Sequence, residues 1–217
     1  SLYNLKQSHK RLLAKINTGE TIYGVNTGFG NMSNIKIDPK DQKDLQLNLV
    51  RSHASGVGKP LELGLIRTIF VLKLLTYVKG FSGIRPAVAE KIVQFLNHDI
   101  LPVIPEKGSV GASGDLAPLG HMALALIGEG KVFYNGKEIR TKKALSKTNI
   151  KPLVLQQKEG LSLINGTQVS TALAIKSLLD GDLLLKTADI EGVLNQKTLS
   201  IEEGAVLKIK SQTNKNS

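Results

Sequence analysis

The chain has no cysteine and no tryptophan among its 217 residues, and only 4% of its residues are aromatic. Without cysteine there is no disulfide framework and no thiolate metal site, which suits a cytoplasmic protein. Histidine is scarce as well. His9, His53, His98 and His121 show no His-Glu-x-x-His or comparable spacing, so no metal is expected. Long uncharged apolar runs are missing: the stretch from Leu65 to Val78 is interrupted by Arg67 and Lys73, and no signal-peptide pattern opens the chain. A soluble protein with no membrane partner is the expectation. Acidic residues are few, 18 against 29 Lys and Arg, leaving a formal charge of +11. That charge would suit an acidic partner. The cations are scattered, however, and the stacking rings that nucleic-acid surfaces interleave with them are wanting. The charge therefore reads as a lysine-rich solvated face, with no nucleic-acid partner.

What is present is mostly helix-forming, and 41% hydrophobic residues over this length supply a sizeable core. Three- and four-residue apolar spacing predicts a helix over Ser8 to Asn17. Asp38-Pro39 reads as an N-cap with proline at the first helical position, opening a helix through Leu45, Leu49 and His53. Pro60 is expected to start a long apolar helix to about Lys79, and Arg85-Pro86 another with Val88, Ile92, Phe95 and Leu96 on one face. Leu116 to Ile127 is strongly apolar. Around Asn135-Gly136, residues 131 to 139 read as a β-hairpin with a primed turn. Thr167 to Ile190 carries leucines on most sides and reads as a helix buried among others, with Gly181 a kink or break. Beyond Gly204 the chain is polar and basic, which predicts a disordered tail over 204–217 after a domain over 1–203. The expected fold is mainly α: a helical bundle with long central helices and one small β-hairpin.

Four segments carry possible chemistry. Ser109 to Pro118 reads Ser-Val-Gly-Ala-Ser-Gly-Asp-Leu-Ala-Pro. Glycines flanking Ala112-Ser113 allow a tight curl, which is expected to bring the Asp115 amide nitrogen onto the Ala112 carbonyl. Ring closure with loss of two waters, one from the Ser113 hydroxyl, would leave an electrophilic methylidene on an imidazolone. The bland alternative is a flexible loop. Gly111 to Gly114 is no Gly-x-Ser-x-Gly elbow, so Ser113 is not read as a hydrolase nucleophile. Tyr23 to Gly30 is a glycine loop around a phenol, fitting neither the dinucleotide fingerprint nor a P-loop. His53 in Arg51-Ser52-His53-Ala54 lies at a helix end, where a cation commonly meets exposed carbonyls. In Gly160 to Gln168, Asn165 or Thr167 is a candidate N-cap, or part of a site for a carboxylate.

Together and in this order, Tyr23–Gly30, Asn48–Gly58, Gly108–Gly120 and Gly160–Gln168 resemble the histidine and phenylalanine ammonia-lyase family. The resemblance implies that Ala112, Ser113 and Gly114 cyclise to a 4-methylidene-imidazole-5-one that is the only cofactor, with no metal or nucleotide. It gives Tyr23 the place of the catalytic tyrosine. Asp115 takes that of the residue assisting ring formation, and Asn165 that of the asparagine touching the ring or the substrate carboxylate. In this family Ser-His at the 52–53 pair accompanies histidine, His-Leu tyrosine and Phe-Leu phenylalanine. Ser52-His53 thus implies L-histidine, eliminated to ammonia and trans-urocanate, with His53 facing the imidazole; bacterial tyrosine lyases and aminomutases keep tyrosine open. The resemblance spans roughly residues 8 to 190, the N-terminal part of a family chain. A second tyrosine loop, an arginine and a glutamate lie outside it, and family sites combine loops from three subunits of a homotetramer. A truncated chain incomplete for catalysis, or a silent assembly module, follows as the rival expectation.

Overall fold

The computed structural model describes residues 2–111 and 113–187. Ala112 and the expected polar tail at 204–217, with its boundary at residue 203, lie outside the described residues. Among the described residues eight α-helices dominate, joined by short strands. The chain divides into a compact unit ending at Ala172 and a second beginning at Leu173.

In the first unit, α1 (Leu2–Asn17) leads through the tyrosine loop to α2 (Gln42–His53). Asp38-Pro39 does not open α2: the Asp38 carboxylate and carbonyl accept the Lys40 and Asp41 amides, closing a turn one step before the helix. Pro60 does not start a helix either. It ends β1 (Val57–Pro60), which pairs antiparallel with β3 (Pro105–Lys107), and α3 (Leu63–Val78) follows. Proline lacks an N–H and so fits the end of a short edge strand as well as a helix start, and sequence alone does not separate the two. α4 (Pro86–Asn97) begins as expected, with Arg85 extended and Pro86 in the first turn; Val88, Ile92 and Phe95 are fully buried.

The core lies where α3 and α4 cross, with Phe70 edge-on to Phe95 at 6.3 Å between centroids. β2 (Leu101–Pro102), β4 (Lys131–Tyr134) and β5 (Lys137–Arg140) form an antiparallel sheet ordered β2-β4-β5. Its β4–β5 hairpin turns at Asn135-Gly136, both at positive φ (50° and 71°), as a primed turn requires. α5 (Leu116–Leu126) is almost wholly buried. Two short helices have no counterpart in the sequence reading, α6 (Thr141–Thr148) and α7 (Glu159–Ile164). Glu159 at the start of α7 has no exposure. It accepts bonds from the Arg85 side chain at 2.7 and 2.8 Å and from the Arg85 and Gln156 amides, fixing α7 to the start of α4.

α8 (Gln168–Thr187) runs unbroken through Gly181, contrary to the expected kink. A glycine costs an exposed helix only about 1 kcal/mol, too little to end one flanked by leucines. The part of α8 in the second unit is also not buried as expected: Leu178, Leu179, Leu183 and Leu184 are 62–74% exposed.

Candidate active site

The loop from Ser109 to Asp115 is pinned at its C-terminal end. Gly114 pairs with Gly166 in an isolated parallel bridge, and the Asp115 amide donates to the Gly166 carbonyl at 2.7 Å. Gly114 sits at φ +105°, and a Cβ there would lie 2.5 Å from the Gly166 oxygen, so only glycine fits. This corrects the expected ring closure. The Asp115 nitrogen is committed to Gly166, and from Asp115 the ring would in any case be too large; a five-membered ring needs the Gly114 nitrogen, two residues past the Ala112 carbonyl. Ser113 is exposed, whereas Ala112 lies outside the described residues.

Asp115 is buried, and its carboxylate accepts the Ser109 hydroxyl at 2.9 Å, the Ser170 hydroxyl at 2.6 Å and the Ser170 amide at 2.8 Å. Ser170 lies in the first turn of α8, whose free amides need acceptors. The sequence offered Asn165 or Thr167 for that role, but Asp115, 55 residues from Ser170 in sequence, caps this amide. A carboxylate there is favoured by the helix dipole.

Tyr23 stands half-exposed on its loop, edge-on to Phe29 at 5.9 Å, with its hydroxyl accepting the Gly30 amide at 3.3 Å. The loop is anchored by the buried side chain of Gln46, which donates to the Gly24 carbonyl at 2.8 Å and accepts the Leu161 amide at 3.0 Å. One glutamine of α2 thereby couples the tyrosine loop to α7. The helices approach closely because Gly160 has no side chain; a Cβ there would lie 2.5 Å from the Gln46 carbonyl oxygen.

His53 ends α2. Its Nδ1 lies 2.8 Å from the Leu49 carbonyl, which only accepts, so Nδ1 carries the hydrogen and Nε2 is left for another partner. This is the carbonyl contact expected of a histidine at a helix end, and it also aims the ring. α5 presses against the same place at Gly120, where a Cβ would lie 2.8 Å from the His53 carbonyl carbon. Beyond it, the Gly56 amide donates to His121 Nε2 at 3.0 Å, so His121 is neutral. Burial lowers its pKa.

The supporting contacts of Gln46, His121, Ser170 and Lys73 have no counterpart in the sequence analysis. Lys73 has no exposure, although it lies amid the apolar residues of α3. Its Nζ donates to the Asn165 carbonyl at 2.9 Å, lies 3.4 Å from Gln168 Oε1, and faces the Tyr77 ring at 5.5 Å. Burial pushes its pKa down to about 7, and the negative charge of Asp115 opposes that shift. The available signal was position: Lys73 continues the buried row Ile66, Ile69, Phe70 at helical spacing. Asn165 itself is exposed, with extended backbone (φ −86°, ψ 127°) between α7 and α8.

The structure thus gathers the four segments around α2, α5 and α7. Gly114 meets Gly166, Gln46 links the tyrosine loop to α7, and Gly120 meets His53. No described residues form a cluster of three or more His, Asp or Glu that would hold a metal, and no described helix is long and apolar enough to cross a membrane.

Known proteins share this arrangement in part. A histidine ammonia-lyase of Geobacillus thermodenitrificans is 48% identical over 184 residues, covering 85% of this chain and 36% of that protein. Tyrosine aminomutase from Streptomyces globisporus superposes with a TM-score of 0.77 at 42% identity, covering 85% of this chain and 34% of that one. Histidine ammonia-lyase from Trypanosoma cruzi gives 0.78 at 35% identity, covering 85% and 35%. This chain therefore spans about a third of the length of the relatives it matches. The model of the aromatic amino acid lyase family matches residues 1–206, and with the geometry above this places the chain in that family.

Proposed function

We propose that this chain carries the electrophile-bearing part of a carbon–nitrogen lyase that removes ammonia from L-histidine to give trans-urocanate. The observation that carries the reading is the serine loop. Ser113 is exposed, and the residue after it, Gly114, is held where a Cβ would strike Gly166. Ser113 and Gly114 fit a 4-methylidene-imidazole-5-one on that ground, since ring closure needs a glycine nitrogen that can reach the preceding carbonyl and a serine hydroxyl free to leave. Closure joins the Gly114 nitrogen to the Ala112 carbonyl carbon. It releases the carbonyl oxygen with the amide hydrogens of Gly114 and Ser113 as one water, and the Ser113 hydroxyl with the Cα hydrogen as a second. Once formed, the ring supplies an electrophile for the substrate amine.

The remaining roles belong to side chains. Tyr23 presents its hydroxyl oxygen from a loop fixed by Gln46, and that oxygen is the group proposed to take the β-proton. His53, with its hydrogen on Nδ1, offers Nε2 as an acceptor for an imidazole N–H. Asn165 offers its exposed amide to the substrate carboxylate. The high identity to a tyrosine aminomutase favours tyrosine as the second reading of the substrate.

The full activity is proposed for a cytoplasmic homotetramer in which other segments and subunits complete each site. The 217-residue chain alone is expected to turn over L-histidine several orders of magnitude more slowly than a full-length relative, because most groups around the substrate are missing. The test is intact mass, expected to be low by two waters, with borohydride labelling the peptide that contains Ser113. Ultraviolet absorbance then reports urocanate from L-histidine or coumarate from L-tyrosine in a chain extended by the remaining two thirds of a relative. An unaltered mass removes the lyase reading, and coumarate without urocanate replaces histidine by tyrosine.

A further inference from the structure

We propose that Lys73 is a positioning residue: from the buried face of α3 it holds the Asn165–Gly166 turn against Gly114 and Asp115, setting the backbone geometry in which the serine loop closes its ring. The inference rests on the ammonia-lyase reading of that loop. It begins from a row of side chains. Lys73, Thr76 and Tyr77 stand at helical spacing on α3, and each bonds to the segment from 162 to 168. Lys73 Nζ donates to the Asn165 carbonyl, Thr76 Oγ1 accepts Gln168 Nε2 at 3.0 Å, and Tyr77 donates to the Ser162 carbonyl at 3.1 Å. Lys73 also lies 3.4 Å from Gln168 Oε1, so both flanks of the turn are held from one helix. Between those flanks lies Gly166, whose carbonyl takes the Asp115 amide and whose backbone Gly114 touches.

An ammonium here is costly. Lys73 is wholly enclosed, and an apolar side chain of the same length would pack beside Ile69 and Tyr77 without desolvating a charge. Its pKa, pushed down to about 7, registers that cost. What an apolar residue cannot do is donate to the Asn165 carbonyl, a part-buried acceptor at the end of α7 that would otherwise lack this partner. Ring closure needs the Gly114 nitrogen on the Ala112 carbon, and the Gly166 contact governs where that nitrogen lies. Lys73 makes and breaks no bond in the closure; it acts through the turn. Asn165 carries both the carbonyl that Lys73 holds and the amide proposed to meet substrate, so the same clamp sets the substrate-binding amide.

The experiment follows maturation in the whole 217-residue chain. Wild type, Lys73→Met and Lys73→Arg are made by cell-free synthesis, and intact mass is read over time, with circular dichroism and thermal melting as the check on folding. Wild type is expected to lose two waters. Lys73→Met is expected to fold with a melting temperature at or above that of wild type, yet to lose the waters at least about tenfold more slowly, a change corresponding to one weakened contact in the closing geometry. Lys73→Arg restores the donor and is expected to recover most of the rate. If wild type matures and Lys73→Met keeps pace, the positioning role is overturned while the lyase reading stands. If wild type never loses the waters, the lyase reading fails and this inference with it. Should Lys73→Met not fold, Lys73→Gln replaces it under the same criterion. If neither folds, Lys73 serves the fold and not the loop, which also overturns the proposal.

Discussion

At the scale of the residue, groups proposed for chemistry are held by partners that lie far from them along the chain. Tyr23, His53, Ser113 and Asn165 sit in short segments whose composition is unusual by itself. Their supports come from far along the chain: Lys73 reaches Asn165 across 92 residues, and Asp115 reaches Ser170 across 55. No local pattern encodes such contacts, which arise only when helices pack. Lys73 shows what the burial of a support costs. Its ordinary pKa of 10.5 is lowered to about 7 in the fold. Between those values the unfolded chain holds a proton that the folded chain has released, so the contribution of Lys73 to stability rises with pH and is lost as pH falls through about 7. The whole span amounts to a few kcal/mol, at most about 5. Urea unfolding of wild type between pH 6 and pH 10 is expected to show this rise, and Lys73→Met to lack it while being the more stable of the two at pH 6. Parallel pH curves for the two proteins would show that the fold does not lower the Lys73 pKa.

At the scale of the element, periodicity located the helices that carry a clear apolar stripe, α4 above all, and Asn135-Gly136 located the hairpin. Boundaries governed by proline were misread at Asp38-Pro39 and Pro60, because proline opens helices, ends edge strands and makes turns with one set φ. α6 and α7 are too short for a periodic signal, and α7 depends on the Arg85–Glu159 pair made across 74 residues. Glycines inside helices carried information that their helix propensity hides. Gly120 on α5 is the place where α5 meets the end of α2. Alanine is the better helix former by about 1 kcal/mol. Gly120→Ala is nevertheless expected to destabilise by about 1–3 kcal/mol, because its Cβ would lie 2.8 Å from the backbone of His53 and the helices must part. Thermal melting checks the sign. Gly181→Ala, in open space on α8, is the control and is expected to be neutral or stabilising. A Gly120→Ala protein at least as stable as wild type would show that α5 and α2 shift apart freely there.

At the scale of the whole molecule, the first unit closes its own core while the described part of the second presents leucines to solvent. Leu178, Leu179, Leu183, Leu184 and Leu185 are each more than 60% exposed, on all sides of the helix. Lys176–Asp180 and Asp182–Lys186 along this stretch are surface pairs one turn apart, worth about 0.3–0.5 kcal/mol each. A helix apolar all round is stable in water only when something covers it. Leucines on most sides of a sequence segment say that its helix is buried and nothing about by what. The protein is therefore expected to self-associate, in keeping with the proposed homotetramer, and despite a charge of +11 that opposes association. Sedimentation equilibrium is expected to show an assembly larger than the monomer. Substituting glutamine at Leu178, Leu179 and Leu183 together is expected to shift it toward the monomer without unfolding the first unit, whose core contains none of these residues. A wild-type chain that sediments as a stable monomer at micromolar concentration would rule out assembly through this helix and leave the silent-module reading in its place.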